Sequence, residues 1–199
     1  CLMARVLLIG SGNKDKQKEL RDLLSDSAWD VKGLQDFHAI DDPEETEDTF
    51  EGNALLKARY YGQRFGVACV ADDSGIEVDA LNGKPGVYSA RYAGEDCTYD
   101  DNNQKMLKAL EEVDAPGRGA RFVSCAAFVD KYGTEHVEVG TVDGVIASEC
   151  KGKHGFGYDP LFIPVGYERT FGELGSEVKA EISHRGRAFR AMSVYLDSY

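Results

Sequence analysis

The chain has 199 residues, 42% of them hydrophobic, and a formal net charge of −12 at pH 7. That length sustains one substantial core, so one domain over residues 1–199 is the first expectation, and the acidic balance excludes a general nucleic-acid surface, which needs a basic stripe. No apolar run approaches the roughly 18 residues that cross a bilayer, so no membrane partner is expected.

The start, Cys1-Leu2-Met3-Ala4-Arg5, lacks the apolar core of a signal peptide, and Met3 is a candidate initiator. The five cysteines are scattered and form no CxxC pair, which fits a reducing, cytoplasmic location and argues against a zinc site. Cys69 and Cys125 lie in apolar runs and read as core filler.

In chain order, Val6-Leu7-Leu8-Ile9 reads as a buried strand, and Gly10-Ser11-Gly12-Asn13 breaks it before a helix from Lys14 to Leu24. Strand, glycine turn and helix start form a phosphate-binding geometry, because amides at a helix N-terminus point outward and the dipole favours an anion. Lys16 stands in that first turn, as a phosphate contact or as a solvated helix lysine. The spacing matches neither a P-loop nor GxGxxG. Val31 to Leu34 reads as a second strand, followed by an acidic loop from Asp41 to Asp48. Thr49 caps a helix from Phe50 to Arg64, with Ala54, Ala58 and Tyr61 on its apolar stripe; Asn53 and Lys57, a turn apart beside it, face either a ligand or solvent, and position alone favours solvent.

Val67-Ala68-Cys69-Val70-Ala71 reads as a strand that ends where Asp72-Asp73-Ser74-Gly75 begins. The expectation is that the backbone turns at Gly75 and delivers two carboxylates to an open edge, either as an acidic centre or as a plain Asp-Ser-Gly turn. A strand over Ile76–Leu81, a helix from Thr98 to Val113 and an antiparallel hairpin of Arg121–Val129 with Thr134–Val142 follow. Ala115–Gly119 is the expected lobe boundary. Gly155-Phe156-Gly157-Tyr158-Asp159 sets an aromatic between glycines, suited to stacking on a flat base or to anchoring a loop. Lys179 and then Ser183-His184-Arg185, at the start of a final helix, offer donors for an acceptor oxygen.

Five motifs, SGNKDK (Ser11–Lys16), TFEGNA (Thr49–Ala54), ADDSG (Ala71–Gly75) with the following PGVYSARYAG (Pro85–Gly94), GFGYDP (Gly155–Pro160) and SHR (Ser183–Arg185), stand in the order found in the Ham1-like family. The chain resembles these inosine/xanthosine triphosphate pyrophosphatases over nearly its whole length. Gly52 departs from the commoner TFxENA form, so a metal-binding role of the usual acid there would fall to Glu51 or Glu45.

The resemblance implies an α/β fold with a long twisted mixed sheet, flanking helices and two lobes around a central substrate cleft, as a homodimer. It implies Mg2+ as cofactor and a nucleoside triphosphate as small-molecule partner. Ser11, Gly12, Asn13, Lys14, Asp15 and Lys16 would hold the triphosphate. Glu45 (with Glu44 as the alternative) and Asp73 would bind metal, Asp73 doubling as proton acceptor, with Asp72 in support. Ser74 would contact substrate, and Phe156, Gly157, Tyr158, Asp159, Lys179, His184 and Arg185 would receive the base. The implied reaction is water attack on the α-phosphorus of ITP, dITP or XTP, releasing pyrophosphate. A Maf-like pyrophosphatase for modified pyrimidine nucleotides and a non-catalytic nucleotide-binding module are the alternatives.

Overall fold

In the computed structural model, which describes residues 5–38 and 40–199, Cys1 and Met3 lie outside the described residues. Strand β1 (Val6–Ile9) buries Leu7, Leu8 and Ile9 completely, as a strand covered on both faces must. It pairs in parallel with β2 (Asp30–Gly33) on one edge and β3 (Ala68–Val78) on the other. Helix α1 (Lys14–Leu23) connects β1 to β2 and buries Leu20. Helix α2 (Phe50–Phe65) leads into β3; Thr49 Oγ1 caps its start by accepting from Gly52 N at 3.0 Å, and Gly66 ends it at φ +66°.

The expected break after Ala71 is absent. β3 runs from Ala68 to Val78, with Asp72 and Asp73 in mid-strand. The strand continues because Ile76 and Val78 have a core of their own to enter, and because Ser89 Oγ accepts from Ile76 N at 2.9 Å. A 3-10 turn over Asp79–Leu81, not Gly75, terminates it.

Helix α3 (Tyr99–Ala109) opens on a capping box in which Thr98 and Asp101 exchange bonds, and it stops short of Val113. Strands β4 (Gly119–Val129) and β5 (Glu135–Ile146) are neighbours in the sheet. Backbone bonds from Asp130 N to Thr134 O and from Ile146 N to Arg118 O fix them as the antiparallel hairpin expected. The short strand β6 (Phe162–Pro164) adds antiparallel to β5, and α4 (Phe171–Leu174), α5 (Ser176–Ile182) and α6 (His184–Ser198) complete the chain. The sheet order is β2-β1-β3-β4-β5-β6, a mixed sheet with flanking helices. No helix among the described residues is long and apolar enough to cross a membrane.

The chain divides into two compact units. The first comprises residues up to Asp73, Ser124–Gly140 and Arg185–Tyr199. Its core packs Leu7 and Ile9 of β1, Leu20 of α1, Val70 of β3, Phe128 of β4 and Phe189, Met192 and Leu196 of α6, and Trp29 meets Phe128 edge-on with ring centroids 6.0 Å apart. The second comprises Ser74–Val123 and Thr141–His184, and residues 115–119 fall inside it. Its core gathers Ile76, Val78, Met106, Leu110 and the aromatic group of Phe122, Phe162 and Phe171. Each unit therefore has an apolar centre of its own, built from segments far apart in sequence. Phe128→Ala is expected to cost about 3–5 kcal/mol of stability, read as a lowered urea midpoint at unchanged slope.

Candidate active site

The turn after β1 is organised by its own side chains. Asn13 Oδ1 accepts from the amides of Asp15 at 3.0 Å and Lys16 at 3.1 Å. The helix start expected to present open amides is thus capped at two of them. Ser11 is buried, its carbonyl taken by Gln17 Nε2 at 2.6 Å, and its Oγ accepts from Asn13 N at 3.3 Å. Gly12 is exposed, and a Cβ there would meet the Asp42 carboxylate 2.2 Å away, so the close approach of Asp42 requires glycine. Lys14 and Asp15 are exposed. Lys16 instead points inward, its Nζ 3.0 Å from Asp72 Oδ2.

Asp72 is fully buried, and a bare carboxylate there would be prohibitively costly. Ser124 Oγ donates to Oδ1 at 2.5 Å, while Oδ2 faces Lys16 and, at 3.2 Å, Arg185 Nε. Burial pushes this carboxyl up, but the cations Lys16 and Arg185, the Ser124 hydroxyl and Lys57 outweigh it and hold the group well below the usual carboxylate range. Arg185, expected at a base oxygen, therefore has other partners: Asp72 and, through Nη1 at 2.6 Å, Glu19.

Adjacent strand residues point to opposite faces, and Asp73 meets a different environment. Burial raises its pKa, Lys57 and Lys16 oppose that, and Glu45 and Asp72 add to it; the net direction is upward. Among the described residues, its buried Oδ2 has no hydrogen-bond partner. The Lys57 ammonium lies 2.6 Å from Glu45 Oε1 and 3.5 Å from Asp73 Oδ1. Burial disfavours that charge, yet the carboxylates prevail and hold the Lys57 pKa above its ordinary value. Lys57 and Asn53, expected to face solvent, are both buried. Asn53 pins the acidic loop, accepting from Glu47 N at 3.0 Å and donating to Glu47 O at 3.2 Å. Lys57 is the member of this group that spacing alone missed; its position one helical turn after Asn53, on the helix preceding the acidic pair, was the available signal. Of the two loop acids, Glu45 turns to Lys57 and Glu44 is exposed. At Gly52, in the first turn of α2, a Cβ would meet Glu47 Cβ at 2.8 Å; Glu51 is exposed.

A divalent cation fits this donor set. Two carboxylates already converge on one positive charge, and one buried oxygen is left over. No group of three or more His, Cys, Asp or Glu side chains suited to a metal occurs among the described residues, so substrate phosphates and water would complete the coordination, as hard cations with few protein ligands allow.

In the second unit, Asp159 Oδ2 accepts from Phe156 N at 2.8 Å and from Lys179 Nζ at 2.7 Å. Gly155 has φ +72°, and a Cβ on it would lie 1.9 Å from that carboxylate oxygen. Asp159 thus shapes the loop from inside. The Lys179 ammonium also sits 4.5 Å from the centre of the Phe156 ring, which is half-buried. Gly157 O accepts from Asn103 Nδ2 at 3.0 Å, and the buried Tyr158 donates its hydroxyl to Ser89 O at 2.7 Å. His184 is buried against Phe122, with centroids 4.5 Å apart and planes 8° from parallel. Ser74 follows Asp73 on β3 and is half-buried.

The model of the Ham1 family matches residues 7–195. The chain belongs to the Ham1 family. Among its relatives, a protein from Porphyromonas gingivalis named dITP/XTP pyrophosphatase is 45% identical over 190 residues, covering 96% of each chain. The solved structure of a HAM1 protein from Coxiella burnetii superposes with a TM-score of 0.88 at 38% identity, covering 98% of this chain and all of that one. A structure described as nucleoside-triphosphatase / dITP/XTP pyrophosphatase from Mycobacterium abscessus superposes at 0.76 with 44% identity, covering 94% and 98%. Family membership accounts for the five ordered motifs, and the geometry adds the partners that hold them. Removing one partner of a buried ion pair leaves an uncompensated charge, so Arg185→Leu is expected to cost about 3–5 kcal/mol, seen as a lowered denaturant midpoint.

Proposed function

We propose that this chain hydrolyses non-canonical purine nucleoside triphosphates of the ITP, dITP and XTP type to the monophosphate and pyrophosphate. The observation that carries the reading is the electrostatic divergence of neighbouring carboxylates: Asp72 held ionised by Lys16 and Arg185, and Asp73 pushed upward beside an acidic pair that shares Lys57. Environments that push paired acids apart assign their roles. Asp73 accepts the proton of the attacking water, and Asp72 orients Lys16 toward the phosphates. Ser11 to Asn13 shape the turn that receives the triphosphate, with Lys14 and Asp15 at its rim. Lys57 adds positive charge where the α-phosphoryl group develops negative charge. Glu45 and Asp73 would hold Mg2+, which when bound neutralises charge on the departing pyrophosphate.

For the base, Phe156 offers a stacking face, set by the Asp159 bond to its amide. Gly157 and Tyr158 keep the loop in place, Ser74 lies beside the acidic pair in sequence, and Lys179 with His184 presents donors to the oxygen at purine position 6. Adenine carries an amino donor there, which would leave those groups unpaired and disfavour it. A single pyrophosphatase domain acting as a cytoplasmic homodimer completes the proposal, on the strength of the family resemblance.

Incubation with dITP and magnesium should yield dIMP and pyrophosphate, and orthophosphate in place of pyrophosphate would refute α-attack. Asp73→Asn should lower kcat by about 10²–10⁴ with the fold intact by circular dichroism. Because burial raises the Asp73 pKa in the metal-free chain, its carboxyl should titrate above the ordinary aspartate value of about 3.9 there, read from its NMR carboxyl shift against pH, and added Mg2+ should move that titration downward. Lys16→Ala should mainly raise KM without altering the preference among bases.

A further inference from the structure

The outer side of α1 borders a cavity of about 630 Å³ within the first unit. That is room for a nucleotide-sized ligand. Its walls include Lys14, Lys18 and Arg21 from the helix, His38 from the segment after β2, and the apolar Leu34 and Ile40. In a chain of net charge −12, a local group of cations around a hollow is out of keeping with the rest of the sequence.

Glu45, Lys57, Asp72 and Asp73 of the acidic centre are not among the residues that line this cavity, although Gly12 of the triphosphate turn is. Lys14, Lys18 and Arg21 stand at i, i+4 and i+7 and share one stripe of α1. Lys16 is about 200° round the helix from Lys14, and its ammonium turns inward to Asp72. Lys14, Lys18 and Arg21 are exposed, and Arg21 Nη2 lies 3.6 Å from Oδ2 of the exposed Asp36. Asp42 also lines the cavity and offers an acceptor while receiving the Tyr61 hydroxyl at 2.5 Å.

We infer that this cavity is a second binding site, for a nucleoside polyphosphate. The cations take the phosphates, Leu34 and Ile40 form the apolar wall for the base, and the Asp42 carboxylate accepts from ribose hydroxyls, a pairing that carboxylates make in other nucleotide sites. The base contacts are apolar, so the site does not require the position-6 oxygen, and ATP is a suitable probe. Gly12 and Lys14 border this cavity as well as the turn proposed for the triphosphate, so the two sites are neighbours and the substitutions that separate them are at Lys18 and Arg21.

The test is calorimetric titration of the full chain with ATP, without divalent metal. In Lys16→Ala, where the proposed catalytic phosphate contact is gone, ATP should still bind. Adding Lys18→Glu and Arg21→Glu to that variant should weaken ATP at least tenfold, and Lys18→Ala alone should weaken it in the same direction if the charge-reversed protein folds poorly. Pyrophosphate and adenosine should each bind at least tenfold more weakly than ATP. With Lys16 intact, the Lys18→Glu/Arg21→Glu protein should turn over dITP at a rate within about twofold of the unsubstituted chain. The inference is overturned if ATP binding disappears in Lys16→Ala, if it survives reversal of Lys18 and Arg21, or if pyrophosphate alone matches ATP. It is also overturned if the reversal abolishes dITP turnover, which would merge the two sites. Absence of dITP turnover in the unsubstituted chain would refute the proposed activity and leave the ATP measurement standing on its own.

Discussion

The fully buried carboxylate of Asp72 is the constraint on which the first unit depends. An ion placed in mid-strand must be compensated, and its partners come from the first turn of α1, from β4 and from the start of α6. Those elements are separated by most of the sequence, so the requirement to satisfy one carboxylate draws the two ends of the chain to the central strand. Glu19 extends the network by taking a second nitrogen of Arg185. Such a cluster contributes little net stability compared with an apolar core of equal size, since desolvation offsets most of the attraction. What it supplies is position, because the charges match in one arrangement only.

Position then separates two chemically identical neighbours. Strand geometry turns Asp73 away from the cations that surround Asp72 and toward Lys57 and Glu45. One acid is held well below the usual carboxylate range, and the other has a raised pKa and, among the described residues, a buried oxygen with no hydrogen-bond partner. The same strand thereby holds one carboxyl below the ordinary range and its neighbour above it. The second unit follows a parallel logic with Asp159, a buried carboxylate that fixes a loop and a lysine at once.

Elements with strong local patterning were legible in the sequence. β1, α1, α2 and the β4–β5 hairpin follow from apolar periodicity, caps and turn residues. The ordered family motifs were legible too, and the family they point to is the one the chain belongs to. The failures have a common physical origin in tertiary context. Asp72-Asp73-Ser74-Gly75 looks like a turn because polar residues and glycine rarely continue a central strand, and only distant partners, the cations around Asp72 and the core that Ile76 and Val78 enter, make it one. Lys57 looked solvated for the same reason, since its two carboxylates are remote in sequence. Asn13 carries the strongest capping preference at its helix start, yet the turn was read for its open amides and not for the side chain that fills them. β6 and α4, three and four residues long, are too short to leave a periodic trace.

The partition of the chain bears on how such a protein can change by recombination. The boundaries between units fall at Asp73/Ser74, Val123/Ser124, Gly140/Thr141 and His184/Arg185. Two of them split candidate site motifs between adjacent residues, so the carboxylate pair and its serine, and the histidine and its arginine, belong to different units. No single crossover between related genes can exchange one unit whole, and any breakpoint in these motifs separates an acid from the partners that stabilise it.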